Sequence, residues 1–368
     1  ALEHNIRQLR EMIGDEALLA PVVKANAYGH GMEIAARAFV DAGADWLCVN
    51  ALYEARRLRD MGIEQPIYVM GYVPPEQTAE AIELDCEVVV YDPRVVTAAA
   101  EAARRHGTGA ARLHLKLETG NNRQGLLEAD ALELARTIHG GPDTELAGLA
   151  THFADVEDTT DHTFARRQRR LFHEFVLQLA GEGIRPRRLH VSNSAATILW
   201  PEVHMDLVRA GIACYGMWPS TESYVSAIAA GRARCELRPA LTWKSRIAQI
   251  RSTAAGEYVG YGRTYRTTHT TSLAVVPVGY YDGYSRSLSN LSHVLVRGNR
   301  APVRGRVCMN MIMVDVTHVP DARTGDEVVL LGEQGDERVT AEQMAGWADT
   351  INYEITTCIN ERIPRIVI

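Results

Sequence analysis

The chain has 368 residues and a formal charge of −7, with a hydrophobic share of 46% and a charged share of 23%. That balance suits a soluble globular enzyme. It argues against nucleic acid or an anionic membrane as partner, and no apolar run reaches the roughly 18 residues of a membrane-spanning helix. The six cysteines are scattered with no CxxC pair, and the 13 histidines show no spacing such as HExxH. Reduced thiols, a cytoplasmic location and no metal site are therefore expected.

The chain opens at Ala1-Leu2-Glu3-His4 inside a helical pattern, as if an upstream segment had been trimmed. Strand-like apolar runs then fall at 19–24, 46–50, 67–70, 87–91, 113–117, 146–152, 188–192 and 208–215. Amphipathic helical stretches separate them at 32–42, 52–61, 75–84, 93–105, 129–138 and 161–181. Strands that alternate with helices imply right-handed βαβ units and a parallel sheet. Eight such runs in the first 215 or so residues suit a (β/α)₈ barrel of the TIM type. An open doubly wound sheet is the alternative, but no GxGxxG turn follows the first strand.

Residues 216–233 read as a connection. Beyond it, short β-branched runs at 241–250, 273–278, 293–296, 301–307, 311–316 and 327–331 are separated by turn signals, and one helical pattern follows at 341–350. The expectation is an α/β chain in two domains: a barrel over 1–235 and a mostly antiparallel β domain over 236–368. Two turns there, 258–265 and 279–284, are rich in both tyrosine and glycine. Such tyrosines either pack within a β domain or face a pocket or partner.

In a barrel, chemistry belongs at the C-terminal strand ends. The unusual polar residues fall there: Lys24, Lys116, Thr151-His152, Ser192-Asn193-Ser194 and Arg209-Ala210-Gly211-Ile212. Lys24 is the most telling. Burial disfavours the charged form of a lysine, and the same desolvation makes its amine a usable nucleophile or base. A lysine that merely reaches from a strand end to solvent is the plain alternative.

Together these pieces resemble the alanine racemase family. The resemblance rests on PVVKANAYGHG at 21–31, THFA at 151–154, SNSAA at 192–196, VRAGIACYG at 208–216, VGYGRTY at 259–265, VPVGYYDGY at 276–284, GRVCMN at 305–310 and INYEI at 351–355. It spans nearly the whole chain. It implies a barrel followed by a β-rich domain, pyridoxal 5′-phosphate as cofactor, a small amino acid as substrate, and a homodimer with shared active sites. The implied product, D-alanine, supplies cell-wall peptidoglycan.

The resemblance also implies roles. Lys24 holds the cofactor as an aldimine and, once freed, serves as base on one face of the substrate. Tyr261, from the other subunit, serves the opposite face, because inversion requires a proton removed on one side and returned on the other. A tyrosine with a reference pKa of about 10 is a poor base alone. His152, expected to be hydrogen-bonded to Arg209, assists it. Arg209 faces the pyridine nitrogen and, being always charged, cannot accept a proton from it. Tyr28, Ser194, Gly211, Ile212 and Tyr353 hold the phosphate. Arg123 and Met309 bind the substrate carboxylate, Tyr280 narrows the entrance, and Lys116 is a candidate for carbamylation.

The chain departs from the family pattern in three places. Glu118-Thr119-Gly120-Asn121-Asn122-Arg123-Gln124-Gly125 replaces the usual DTGMGRxG, Asn310 stands where aspartate is common, and Tyr281 is bulkier than usual. A racemase of serine or another small amino acid is thus an alternative. A pyridoxal-dependent decarboxylase shares the architecture, but no glycine-rich phosphate loop of that class is present. A single-domain pyridoxal-binding protein would lack the segment that carries Tyr261 and Met309.

Overall fold

The computed structural model describes residues 1–107, 109–233 and 235–368. They form two compact units: 1–27 with 32–239, and 28–31 with 240–368.

The first unit opens with the helix Leu2–Ile13, which buries Ile6, Leu9 and Ile13 along one stripe. Eight short strands follow: β1 (Leu18–Leu19), β2 (Leu47–Val49), β3 (Ile67–Val69), β4 (Cys86–Val90), β5 (Ala111–Lys116), β6 (Thr144–Ala150), β7 (Leu189–His190) and β8 (Leu207–Val208). β2 to β7 lie side by side in one parallel sheet, and β1 pairs in parallel with β8. The strands are buried on both faces, so they read as continuous apolar runs rather than alternating ones.

Helices Met32–Asp41, Leu52–Asp60, Thr78–Glu83, Pro93–His106, Glu128–Gly140 and Thr163–Gly181 fill the crossovers. Their ends follow local chemistry. Asp92 accepts from the Arg94 N–H at 2.9 Å, Pro93 takes the first position, and Gly107 closes the helix at φ 64°.

Two stretches differ from expectation. The run at 208–215 is not one strand. It ends at Val208, because Ser194 Oγ takes the N–H groups of Gly211 (2.8 Å) and Ala213 (3.3 Å) from any ladder, and Ile212–Tyr215 turns as a 3₁₀ helix. The connection at 216–233 carries a helix, Thr221–Ala229, started by a reciprocal Ser220–Ser223 cap.

The second unit is antiparallel. A three-stranded sheet runs β10 (Gln249–Thr253), β13 (Thr271–Val276) and β16 (Ile312–Asp315). A five-stranded sheet centres on β17 (Glu327–Gln334). It also holds β14 (His293–Val296), β15 (Asn299–Pro302), β18 (Glu337–Val339) and β9 (Trp243–Arg246). β11 (Tyr258–Val259) and β12 (Tyr265–Arg266) form a separate hairpin. Helices Ala341–Ala348 and Asn352–Thr357 complete it. Among the described residues no helix is long and apolar enough to cross a membrane.

Candidate active site

The chain beyond β1 runs past a parallel bridge between Val22 and Cys48 and reaches Lys24. It does not continue as a strand. Ala25, Asn26, Ala27 and Tyr28 take φ values of 53°, 52°, 55° and 52°, a left-handed turn closed by the Ala27 N–H on Val23 O at 2.9 Å. Each such residue costs roughly 1–2 kcal/mol relative to a right-handed turn. Side chains hold it in place. Asn26 Oδ1 accepts from the Met32 N–H at 2.9 Å, and Glu54 Oε1 accepts from the Ala25 N–H at 2.7 Å. Glu54 is 2% exposed, and its other oxygen takes the N–H groups of Asn50 and Ala51 at 2.8 and 3.0 Å. Nothing in the sequence marks Glu54, which reads as one polar position of a helix. Burial lowers the Lys24 pKa and the Arg123 charge lowers it further, while Glu54 draws it partly back.

The ends of β5 and β6 meet in a recess lined by Lys116, Glu118, Asn121, Arg123, Gln124, Thr151 and His152. Burial, then the charges of Arg209 and Arg123, hold the Lys116 amine well below its usual pKa. Burial and the neighbouring Lys116 and Arg209 likewise keep His152 well below the ordinary histidine value, so its ring is neutral at pH 7. The loop after β5 is organised by Glu118, whose carboxylate accepts from the N–H groups of Gly120 (2.5 Å) and Arg123 (3.3 Å). Gln168, fully buried on the helix Thr163–Gly181, donates to Thr119 Oγ1 and His152 O at 3.2 Å each and accepts from the Ala154 N–H at 2.9 Å. It reads in the sequence as an ordinary helix polar residue.

Arg209, just past β8, is 5% exposed. The expected bond from its guanidinium to His152 is replaced by another. Nη1 donates to Nδ1 of His190, and Nη2 donates to the carbonyls of Thr151 (3.0 Å) and Val191 (3.3 Å). The reason is position: His190, at the end of β7, lies within reach of Nη1, while Nη2 is taken by the Thr151 and Val191 carbonyls. Ser194 opens the short helix Ser194–Leu199, and its Oγ gathers the Gly211 and Ala213 N–H groups just before and after Ile212. A hydroxyl and backbone donors converge there, as in an anion cradle.

In the second unit Tyr261 stands on a short turn, Tyr261–Arg263, kinked at Gly262 (φ 71°), and is 74% exposed. The Tyr280 and Tyr281 N–H groups each donate at 3.0 Å, to Cys308 O and Met309 O respectively, so the Tyr280 turn lies against the Met309 turn. Gly279 makes this approach possible, because a Cβ there would lie 2.2 Å from Cys308 O. Tyr28 and Tyr353 face each other with ring centroids 6.0 Å apart. Gly29, at φ +84°, presses against Thr356 O, where a Cβ would come within 1.9 Å. Arg365 binds Gly29 O through Nε (3.0 Å) and Nη2 (2.8 Å). Gly29 falls inside the 21–31 motif, whereas Arg365 lies outside every motif of the sequence.

A model of the alanine racemase N-terminal domain matches residues 1–219, and one of the alanine racemase C-terminal domain matches residues 240–367. The alanine racemase of Symbiobacterium thermophilum is 42% identical over 99% of this chain and 94% of its own. The crystal structure of alanine racemase from Streptomyces lavendulae superposes with a TM-score of 0.92 at 38% identity, covering 99% of this chain and 94% of that one. The Bacillus anthracis alanine racemase, solved with bound L-Ala-P, gives 0.91 at 35% identity over 100% of this chain and 92% of its own. By sequence and by fold, this chain belongs to the alanine racemase family.

Proposed function

We propose that the chain is a pyridoxal 5′-phosphate-dependent racemase interconverting L- and D-alanine. In this reading Lys24 and Tyr261 carry the proton on opposite faces of the substrate α-carbon. The observation that carries the proposal is the Lys24 amine, pushed below its usual pKa by burial at the head of a braced left-handed turn. The cofactor, when bound, supplies an electron sink that acidifies the α-proton.

The donor set suits a phosphorylated aldehyde with a basic ring nitrogen. Lys24 offers an amine able to hold a carbonyl group. Ser194 Oγ with the Gly211 and Ile212 N–H groups, Tyr28 and Tyr353 offer hydroxyl and amide donors to a phosphate. Arg209 has donors only, so it leaves a facing ring nitrogen unprotonated. That restraint on the electron sink limits side reactions.

The chain's own residues divide the remaining work. Lys24 takes or gives the proton on one face and Tyr261 on the other, with neutral His152 beside Tyr261 as its relay. Arg123 and the Met309 N–H bind the substrate carboxylate, and Tyr280 narrows the approach. A carbamate on Lys116 would place an anion beside Arg123 and Arg209 and orient the first. The low amine pKa of Lys116 supports this, because only the neutral amine adds carbon dioxide.

The working form is a homodimer in which residues 236–368 lend Tyr261, Met309 and Tyr280 to the pocket of residues 1–235 in the other subunit. Its support is the 74% exposure of Tyr261, with Met309 at 55% and Tyr280 at 43%. Such exposed large side chains call for a partner. The eight parallel strands close as a (β/α)₈ barrel. The Val22–Cys48 bridge and the Arg209 N–H on Ser192 O at 3.3 Å support closure. The enzyme works in the cytoplasm, where its six free thiols stay reduced, and its D-alanine serves peptidoglycan.

The test couples D-amino-acid oxidase to L-alanine and L-serine in parallel, with wild type and Tyr261→Phe. Wild type should racemise alanine faster than serine. Loss of a proton-transfer group should cost Tyr261→Phe on the order of 10²–10⁴-fold. A variant fully active in both directions removes Tyr261 from the chemistry. Carbon dioxide release in place of racemisation removes the whole reading.

A further inference from the structure

Four polar side chains in the interior of the parallel strands form a row, of which the proposed reaction uses only Arg209. Glu87 lies on β4, His114 on β5, His190 on β7, and Arg209 just past β8. Glu87 Oε2 is 2.6 Å from His114 Nε2, His114 Nδ1 is 2.7 Å from His190 Nε2, and His190 Nδ1 meets Arg209 Nη1. Exposures are 3%, 0%, 0% and 5% in that order. The site is built for the row. Gly148 faces His114 where a Cβ would lie 2.2 Å from its Nδ1, and the Tyr68 ring covers His114 at 4.4 Å and His190 at 5.3 Å. At the far end Arg112 Nε donates to Glu87 Oε1 at 3.0 Å, and Arg188 stands 3.5 Å from Oε2.

The direction of every bond can be worked out. A guanidinium only donates and a carboxylate only accepts. Nδ1 of His190 faces Arg209, so it is bare, and the proton sits on Nε2. That proton occupies the bond to His114, so His114 Nδ1 is bare and its proton is also on Nε2, donated to Glu87. Both imidazoles are neutral in the same tautomer, since a second proton on either would set donor against donor. Burial favours this neutral state in both.

We infer that Glu87 is a positioning residue for Arg209: its carboxylate, relayed through two imidazoles of fixed tautomer, keeps a bare nitrogen in front of the guanidinium. The role at the cofactor ring rests on the reading of Arg209 given above, whereas the directed row itself does not. A neutral amide at position 87 cannot keep both the row and the Arg112 bond. If its carbonyl accepts from Arg112, its N–H₂ faces His114 Nε2 and reverses both tautomers, leaving an N–H of His190 against an N–H of Arg209. If its carbonyl accepts from His114, its N–H₂ opposes Arg112.

The test uses ¹⁵N-histidine-labelled protein, with and without added pyridoxal phosphate. Nitrogen shifts should show His114 and His190 each as a single Nε2–H tautomer in wild type. Glu87→Gln should lose that uniformity at His190. His114→Gln, whose amide can accept with oxygen and donate with nitrogen, should retain it at His190. On the loaded enzyme, Glu87→Gln should lower kcat/KM on the order of 10–100-fold and raise the transaminated fraction, with His114→Gln less affected. An unchanged single Nε2–H tautomer at His190 in Glu87→Gln would overturn the inference. A changed tautomer with an unchanged by-product fraction would leave the row standing and remove Arg209 from the ring nitrogen. A folded but inactive wild type with the tautomers as expected would instead count against the racemase reading alone.

Discussion

Gly148→Ala probes the interior row without removing any polar atom. The added Cβ would lie 2.2 Å from Nδ1, 2.7 Å from Cε1 and 2.8 Å from Cγ of His114, where ordinary contact begins at 3.4 Å. The ring has no room to retreat, because it is fully buried and both nitrogens are engaged. Overpacking of this kind costs about 1–3 kcal/mol. Displacing the ring also weakens one neutral hydrogen bond and one to a carboxylate, worth about 1 and 1.5–3 kcal/mol. The sum is roughly 4–7 kcal/mol, or a melting temperature lower by about 8–28 °C at 2–4 °C per kcal/mol. Differential scanning calorimetry should be run beside Gly140→Ala, whose Cβ meets nothing within 4 Å. A Gly148→Ala protein that melts within about 2 °C of that control would refute the packing argument.

Other perturbations test neighbouring features. The folded pKa values of His114, His152 and His190 lie below the unfolded value, so only the unfolded chain takes up protons as pH falls through about 6.5. Stability is therefore full above that pH and declines below it. Each histidine contributes a slope of about 1.4 kcal/mol per pH unit, and denaturant midpoints measured between pH 7.5 and 5.5 should show the decline. For Glu87, burial pushes the carboxyl up, but His114, Arg188 and Arg112 outweigh it and hold it low, so its contribution disappears only below about pH 4.3. A midpoint that stays flat from pH 7.5 to 5.5 would contradict the neutral histidines.

Arg209→Glu should raise the transaminated by-product from alanine, read as pyruvate formed per racemisation event, and an unchanged ratio would exclude its role at the ring. Under ¹³C-bicarbonate, a carbamate resonance should appear in wild type and be absent from Lys116→Met, which should also bind alanine more weakly through a looser Arg123. Gly29→Ala combines a positive φ with a Cβ 1.9 Å from Thr356 O, so it should destabilise the second unit by about 2–5 kcal/mol. Native-like melting of Gly29→Ala would show that the backbone there can move.

Much of the architecture is legible without coordinates, for a physical reason. Strands buried on both faces are short continuous apolar runs, helices between them carry 3.6-residue stripes, and the shift to β-branched runs near 240 is a change of composition. The polar residues at strand ends stand out because such positions are otherwise apolar. That is how Lys24, Lys116, His152, Ser194 and Arg209 are found from sequence.

What sequence periodicity hides is pairing between distant positions. Glu87 and His114 are 27 residues apart, His114 and His190 76, and His190 and Arg209 19. Each is one polar residue inside or beside an apolar run, and only the lateral order β4-β5-β6-β7 and the place of β8 decide that they line up. The left-handed turn at 25–28 is likewise invisible locally, since Ala-Asn-Ala-Tyr prefers a right-handed helix and only distant groups such as Glu54 reverse that choice. The sequence by itself determined which residue types can do the chemistry. The tertiary structure decided which imidazole Arg209 holds, because a hydrogen bond depends on distance and direction, and neither is set by neighbours along the chain.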